Sequence, residues 1–580
     1  MKVDTQVADN NSLTRCIDTR NAWACVGVVA AAILMIWPVA EMPYGDDTAY
    51  TYVALNVARS GHLIYNGWES ALLVLHAYWG ALFIRLFGFS FTCVRFSSLP
   101  FALGAVGFCY LLVRRAGLQA PAAVLATLLL GLSPLFLPVA VTFMTDVPAL
   151  FFMFASLYFL SRAAEGTGNG PDYGWLALGT AMGFMGGTSR QAVWFVPLLV
   201  LPYLAWVRRR QTWFVISSFI AWSVIVGGIT GLISWFNRQY YVIPQPSLFG
   251  ELKNAIRTPL GELNATARLL LMLLLMCLPA ALPLVLRASV DTWRGAPARK
   301  IIVGTLFLGV VAAILIHPSL ASIPWVASTL NWEGINGSAP MPGRPVVLTK
   351  HIRVLVALVV YAAGCILAGE LTNIRGLARR GLRRFLDPSG GQFALAAMSL
   401  VSVVYFVMLL LRETDFDIFD RYLLPILPWV ATVMLLWCGS DDRAGRMLKH
   451  ATPVAWVLLT VLASYAITST QDFWALARAR ASATRKLEAA GVPRTSIDAG
   501  FEYNAWTQLM FNGQINSRWV VNPPGAYRAD LGQTPAILPL YRLEYEPTLE
   551  SAPSEFGSVP YFSFMPPFHK RVSIDRVLNR

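Results

Sequence analysis

Apolar runs long enough to cross a bilayer recur through the first four-fifths of this 580-residue chain, and nothing else in the sequence restricts the fold as strongly. About 20 residues of helix cover the roughly 30 Å of hydrocarbon. Inside lipid the backbone must satisfy its own hydrogen bonds, so such runs are helices or staves of a closed barrel. Strand-like alternation is absent, which leaves helices. The expected spans are 23–39, 96–113, 121–139, 147–162, 175–188, 192–207, 213–236, 267–287, 301–317, 352–369, 393–411, 423–438 and 453–469, about thirteen in all. Composition agrees: 56% of residues are hydrophobic, 13% are charged, and the mean hydropathy is +0.54, which excludes an ordinary soluble domain.

A net charge of +14 would suggest a nucleic-acid partner in a soluble protein, but here the distribution of charge decides otherwise. Basic residues fall in alternate loops: Arg114 and Arg115; Arg208 to Arg210; Arg294, Arg299 and Lys300; Arg375 to Arg384; Arg443, Arg446 and Lys449. The positive-inside rule makes these loops, and the N-terminus with Lys2, Arg15 and Arg20, cytoplasmic. Loops 40–95, 140–146, 237–266, 319–351 and 412–422 then face outward, as does the tail after about 470. The expected location is the cytoplasmic membrane, crossed many times, with the C-terminal domain outside. The first apolar run lacks a small-residue cleavage site and reads as an uncleaved anchor. Of seven cysteines only Cys93 is expected outside, so neither a disulfide framework nor a Cys/His metal cluster is indicated.

Two stretches of the first outer loop have helical periodicity; the second could be a span, but that would put Arg114, Arg115 and the other basic loops outside. Residues 48–60 place Tyr50, Val53, Ala54 and Val57 on one face, and 70–87 are apolar with His76 and Arg85 interspersed. Both are expected to lie along the interface, joined by a turn at Gly61, Asn66 and Gly67. After about 470 the composition becomes mixed, Pro-rich and aromatic. A helix pattern from Asp472 to Ala490, followed by strand-like SIDAGFEYNAW, RWVVNPP and ILPLYRLEYE, predicts a small α/β outer domain. The expected division is a membrane domain over 1–470 and this outer domain over 471–580.

Charged residues at the outer ends of spans are the candidates for chemistry. Asp46 and Asp47 sit in PYGDDTAY, directly after the anchor. One carboxylate suffices to cap the following helix, with Asp47 the likelier cap, so Asp46 is left at the membrane face with no structural partner. Asp146 in FMTDVP, Arg190 in GTSRQ and Arg421 in DFDIFDRYLLPILP lie at the same level, although each alone could be a helix cap or a snorkelling arginine. Glu69 and His76 belong to the first outer loop, where a solvated role competes with a functional one. The glycines of GTAMGFMGG, 179–187, lie within a span and indicate close helix packing. Sequons occur at Asn10, Asn264 and Asn336.

These features together resemble the GT-C class of membrane glycosyltransferases, in particular the lineage of protein O-mannosyltransferases, lipid A aminoarabinose transferases and bacterial lipopolysaccharide sugar transferases. The resemblance rests on Asp46, Asp47, Tyr50, Ser60 and Gly61; on LFG at 86–88; on Arg95, Asp146 and RYLLPILP at 421–428, which includes Tyr422; and on the span count with an outer C-terminal domain. Two departures are visible: Asp-Asp stands where the pattern has Asp-Glu, and WESALLVLHAYW replaces a Lys-Pro-Pro-like stretch. The resemblance implies transfer of a sugar from a polyprenyl-phosphate donor to a glycan, lipid or protein acceptor at the outer membrane face. It implies Asp46 as general base, with Asp47, Tyr50, Glu69, His76, Asp146, Arg190, Arg421 and Tyr422 binding substrate. No cofactor is required, a divalent metal is left open, and membrane lipid is a partner. A flippase or transporter of lipid-linked sugars is the alternative, but it would be expected to carry ionisable residues within its spans, and here those spans hold almost no acids.

Overall fold

The structure, a computed structural model, describes residues 2–165, 172–244, 259–294, 297–316, 329–337, 341, 343–370, 392–411, 419–439, 442–546, 548 and 550–578. The first half contains α1 (Lys2–Ile36), α2 (Asp47–Ser60), α3 (Val74–Phe87), α4 (Phe91–Phe96), α5 (Leu99–Arg115), α6 (Ala120–Gly131), α7 (Phe136–Ala140), α8 (Asp146–Glu165), α9 (Tyr173–Ser189), α10 (Phe195–Val207) and α11 (Thr212–Phe236). It continues through α12 (Pro259–Arg294), α13 (Pro297–Ile316), a two-stranded hairpin β1 (Leu330–Asn331) and β2 (Gly334–Ile335), α14 (Lys350–Glu370), α15 (Gln392–Leu411), α16 (Leu427–Gly439) and α17 (Asp442–Ala489). Last come β3 (Ile497–Asp498), α18 (Phe501–Asn512), β4 (Tyr541–Glu544), β5 (Ser551–Phe562) and β6 (His569–Val577).

Among the described residues, eight helices are long and apolar enough to cross a membrane: Cys16–Ile36, Phe91–Arg115, Asp146–Glu165, Thr212–Phe236, Thr266–Arg294, Lys350–Glu370, Gln392–Leu411 and Thr452–Ala489. The chain is a multi-pass, all-α membrane protein with a small α/β C-terminal unit. Eight, not thirteen, meet the length criterion, because the other five expected spans coincide with shorter helices: α6, α9, Gln191–Val207, Lys300–Ile316 and Leu427–Cys438. The expected span 121–139 breaks after Gly131 and resumes at Phe136. The interfacial segments form α2 and α3; α3 has 14 residues, about 21 Å, too short to cross. The expected basic loop at 375–384 lies outside the described residues.

Helix α8 is the hub of the first half, packed along α5, α9 and α10 and buried along most of its length. Helix α11 is buried over little of its length, which places it at the rim, its apolar side chains turned to lipid. The expected close packing of glycines holds: a side chain at Gly179 would strike Leu160, and one at Gly187 would come within 1.9 Å of the Trp194 ring. Arg114, Arg115 and Arg208 cluster at one end of this bundle, where Arg114 pairs with Asp18 and Arg115 donates to Ser161. Asp146 and Arg190 lie at the opposite ends of α8 and α9.

The C-terminal sheet has the order β3-β4-β6-β5, with β3 parallel to β4 and the other pairs antiparallel. Two expectations need correction. FEYNAW is helical in α18, because the short strand β3 ends and the chain turns through Gly500 at φ +86°, a conformation that favours glycine. RWVVNPP, residues 518–524, is irregular and belongs to a loop over 516–533. The expected division at 470/471 falls within α17, a continuous helix of 48 residues, so the last span and the first helix of the tail are one element. Asp472 on this helix is buried and accepts from Arg344, Lys570 and Ser563, each at 2.6 Å, which ties α17 to β6 and to the segment after β2.

Candidate functional site

The chain enters α2 through a tight turn, Tyr44 to Asp47, with Gly45 at φ +48° and the Asp47 N–H donating to the Tyr44 carbonyl. Neither carboxylate caps the helix, which corrects the expected cap. Asp46 occupies the cap position but has helical dihedrals, φ −65° and ψ −20°, and no side-chain bond to the first turn. The Asp47 carboxylate, 2% exposed, points inward, accepting from the Tyr44 N–H at 2.5 Å and the Phe143 N–H at 3.3 Å. It thereby fixes the turn that presents Asp46. Burial pushes the Asp47 carboxyl up to about 7, opposed by Arg95 and by those two N–H donors.

The outward turn of Asp46 brings its two oxygens to different partners. Oδ1 accepts from the Trp68 indole N–H at 2.9 Å, and Oδ2 pairs with Arg421 Nη2 at 2.9 Å. Arg421 Nε then faces Asp146 Oδ2 at 3.6 Å, and Asp146 Oδ1 pairs with Arg190 Nη1 at 3.1 Å. The result is an alternating row, Asp46, Arg421, Asp146, Arg190, assembled from four distant parts of the chain. Arg190 also donates to Thr145 and lies 4.7 Å over the Tyr422 ring, while Arg421 lies 4.2 Å over Phe419. Burial works against the charge on both arginines, but Asp146, joined by Asp46 for Arg421, keeps both firmly protonated. The 3.6 Å contact is too long for a hydrogen bond, so Arg421 Nε and Asp146 Oδ2 have no hydrogen-bond partner. The row is paired but not saturated.

This row borders a cavity of about 1020 Å³. Asp46, Tyr50, Arg190, Arg421 and Tyr422 line it, together with Trp68 and Gln191. Leu198, Ile229, Ile233, Met408, Leu409 and Leu411, from α10, α11 and α15, make another part of the wall apolar. The C-terminal unit contributes Asn516 to Trp519, Tyr527 and Leu531 to Gln533 as a roof. The roof is tied down by backbone bonds: Ile515 N–H donates to Asn66, Tyr241 N–H to Asn522, and Gly67 N–H to Tyr241. Gly67 has φ +94°, and a side chain there would meet the Ile515 carbonyl at 2.6 Å, so both turn and close approach require glycine.

The remaining expected site residues lie off the cavity wall. Glu69 is fully buried, its carboxylate accepting from the Asn66 and Trp68 N–H groups, and burial pushes it up to about 8 despite those bonds. It holds the loop that aims Trp68. His76 is buried, stacked on Phe143 at 3.9 Å, with Nε2 3.0 Å from the Phe143 carbonyl; burial brings its value down to about 4, so it is neutral. Asp146 is 5% exposed and meets the cavity only through its two arginines. Trp68 and the roof residues were not anticipated: Trp68 is one of 19 tryptophans, and the roof is some 470 residues from Asp46 in sequence. Among the described residues no group of His, Cys, Asp and Glu has the arrangement of a metal site.

The family model described as dolichyl-phosphate-mannose-protein mannosyltransferase matches residues 74–235. Comparison with curated proteins gives no match. Among solved structures, the chain is similar to an oligosaccharyltransferase, AglB, from Archaeoglobus fulgidus, at 14% identity and a TM-score of 0.39, over 80% of this chain and 56% of that one. It is also similar to ArnT from Cupriavidus metallidurans, at 14% identity and a TM-score of 0.34, over 96% of this chain and 98% of that one. The chain therefore spans little more than half the length of the archaeal enzyme.

Proposed function

We propose that this protein is a membrane glycosyltransferase that moves a sugar from a polyprenyl-phosphate donor to an acceptor, with Asp46 as general base. The observation that carries the reading is the convergence of Asp46, Arg190 and Arg421 on one cavity whose wall changes from charged to apolar. A ligand suited to such a wall has an anionic head and a hydrocarbon tail. The family model over 74–235 supports the same chemistry. The basic clusters at the opposite end of the bundle support an outward-facing site under the positive-inside rule.

In this mechanism the donor's tail lies against α10, α11 and α15 and its sugar phosphate reaches the charged end. The acceptor oxygen or nitrogen attacks the anomeric carbon while Asp46 takes its proton. The bond from that carbon to the phosphate oxygen breaks, and the electron pair stays on the phosphate. Its growing negative charge is met by Arg421 and Arg190. Asp146 spaces the two arginines, Asp47 and Glu69 hold the loops that carry Asp46 and Trp68, and His76 packs on Phe143, whose N–H donates to Asp47. The pairing of Arg421 with Asp46 has a further use: a phosphate that competes for Arg421 frees Asp46 Oδ2 for the acceptor proton.

The test is Asp46→Asn assayed for sugar transfer from a polyprenyl-phosphate donor in membranes. General-base catalysis contributes about 10²- to 10⁴-fold, and a loss of that size at normal expression is expected. Undiminished transfer would remove Asp46 from the mechanism. The whole reading fails if the wild-type protein moves lipid-linked sugar across vesicles without transferring it.

A further inference from the structure

Charge balance around the cavity singles out one residue. Its charged wall consists of Asp46, Arg190, Arg421 and Arg518, with Asp146 behind the two inner arginines. Arg190 and Arg421 are matched by the two carboxylates. Arg518, on the roof, has no carboxylate within ion-pair distance among the described residues, and its guanidinium lies 4.6 Å over the Trp519 ring. Among the described residues, an anion entering the cavity therefore meets two neutralised cations and one that has no counter-charge.

The loop that carries Arg518 is fixed in place. The Asn516 side chain donates to the carbonyls of Arg528, Leu531 and Gly532 and accepts from the Arg528 N–H, closing residues 516–532 on themselves. Asn522 anchors the same loop to the carbonyls of Arg238 and Gln239 beyond α11. Stacking on Trp519 restricts the guanidinium, so less freedom is lost when it grips a ligand.

We infer that Arg518, contributed by the C-terminal unit, is the residue that captures a phosphate group in the cavity before the inner arginines engage it. This rests on the reading of the cavity as a lipid-phosphate site. The captured phosphate belongs to the donor lipid or to a phosphorylated acceptor, and one experiment separates the two. Sugar-free polyprenyl phosphate is titrated against the purified full-length protein, comparing wild type with Arg518→Gln, Arg518→Lys and Asn516→Ala.

Loss of a charge-assisted contact should weaken binding about tenfold or more in Arg518→Gln, with Arg518→Lys intermediate. Asn516→Ala, which keeps the charge but opens the loop, should weaken it less. Salt should weaken wild-type binding more steeply than Arg518→Gln binding. Such results assign the donor's phosphate. Unchanged lipid binding with a raised KM confined to phosphorylated acceptors assigns the acceptor's. If Arg518→Gln alters neither, the inference is overturned, whatever the activity of the enzyme. Because binding needs no turnover, a protein that holds the lipid through Arg518 yet transfers no sugar would sink the catalytic reading and leave this one standing.

Discussion

Two clusters of acid and arginine in this molecule use the same chemistry to opposite ends. In the first, Asp472 takes Arg344, Lys570 and Ser563 on its two oxygens, and the side chains of the three charged residues are 1%, 1% and 4% exposed. In the second, Asp46 is 26% exposed, Arg421 Nε and Asp146 Oδ2 lack hydrogen-bond partners, and the row opens onto a cavity. A carboxylate with both oxygens engaged and no solvent access holds structure. One that shares its charge imperfectly beside an empty volume can exchange partners. The number of ion pairs therefore says little about role, and neither does saturation, since Arg344 Nε in the first cluster lacks a hydrogen-bond partner as Arg421 Nε does in the second; solvent access and an adjoining cavity separate the two.

The sharpest way to break this comparison is to neutralise one acid from each cluster. Asp472→Ala leaves Arg344 and Lys570 buried without a counter-charge and should cost about 3–5 kcal/mol, read as lost folded protein in fluorescence-detected size exclusion. Asp46→Asn should leave the folded yield near wild type while cutting transfer about 10²- to 10⁴-fold, because Asp46 is partly exposed and faces a cavity. If both variants fail to fold, the distinction between clusters collapses. A smaller effect is expected from Arg421→Lys, which keeps the charge but cannot reach Asp46 and Asp146 together: transfer should fall about 10- to 100-fold with little change in thermal midpoint. Smaller again is Trp68→Phe, which removes one hydrogen bond to Asp46; at about 0.5–1.5 kcal/mol this predicts at most about a tenfold loss in kcat/KM.

The pH dependence of stability probes the inward-facing acids. Asp47 and Glu69 are raised from ordinary values of 3.8 and 4.5 to about 7 and about 8. The folded protein thus keeps protons that the unfolded chain loses. The stability this confers is complete below about pH 4 and is lost as pH rises towards 7 and 8, at no more than about 1.4 kcal/mol per pH unit for each group. His76, lowered to about 4, acts in the opposite sense between about pH 4 and 6.5, so the expected signature is a thermal midpoint that falls more steeply with pH in wild type than in Asp47→Asn with Glu69→Gln, most clearly above pH 6.5. Identical pH profiles of wild type and the double variant would contradict the inward placement of these carboxyls.

Much of this was legible in the sequence, for identifiable physical reasons. Apolar runs announce helices because lipid tolerates little else, and Asp46, Asp146, Arg190 and Arg421 stand out because charge at the edge of an apolar run is rare. The function of Asp47 was not legible: cap and clamp differ only in the dihedrals of the turn at Gly45, which depend on where Phe143 sits. Glu69 and His76 look like site residues by type, and only packing turns them away from the cavity. Trp68 and Arg518 carry no local signal, since each reaches the cavity only through a fold that brings together segments distant in sequence. The break at Ser133–Leu135 was hidden because apolarity continues through it.

The 48-residue helix α17 has one more consequence. At 1.5 Å per residue it is a rod of about 72 Å, more than twice the thickness of the hydrocarbon. Pro453 is the one proline inside the helix; beyond that point the helix runs uninterrupted to Ala489, so the sheet it carries inherits the tilt of this segment, and the roof built from 516–533 is held between it and the backbone at Asn66 and Tyr241. Strain in the bilayer would then reach the mouth of the cavity through a mechanical linkage, with the lipid itself as the hand on the lever.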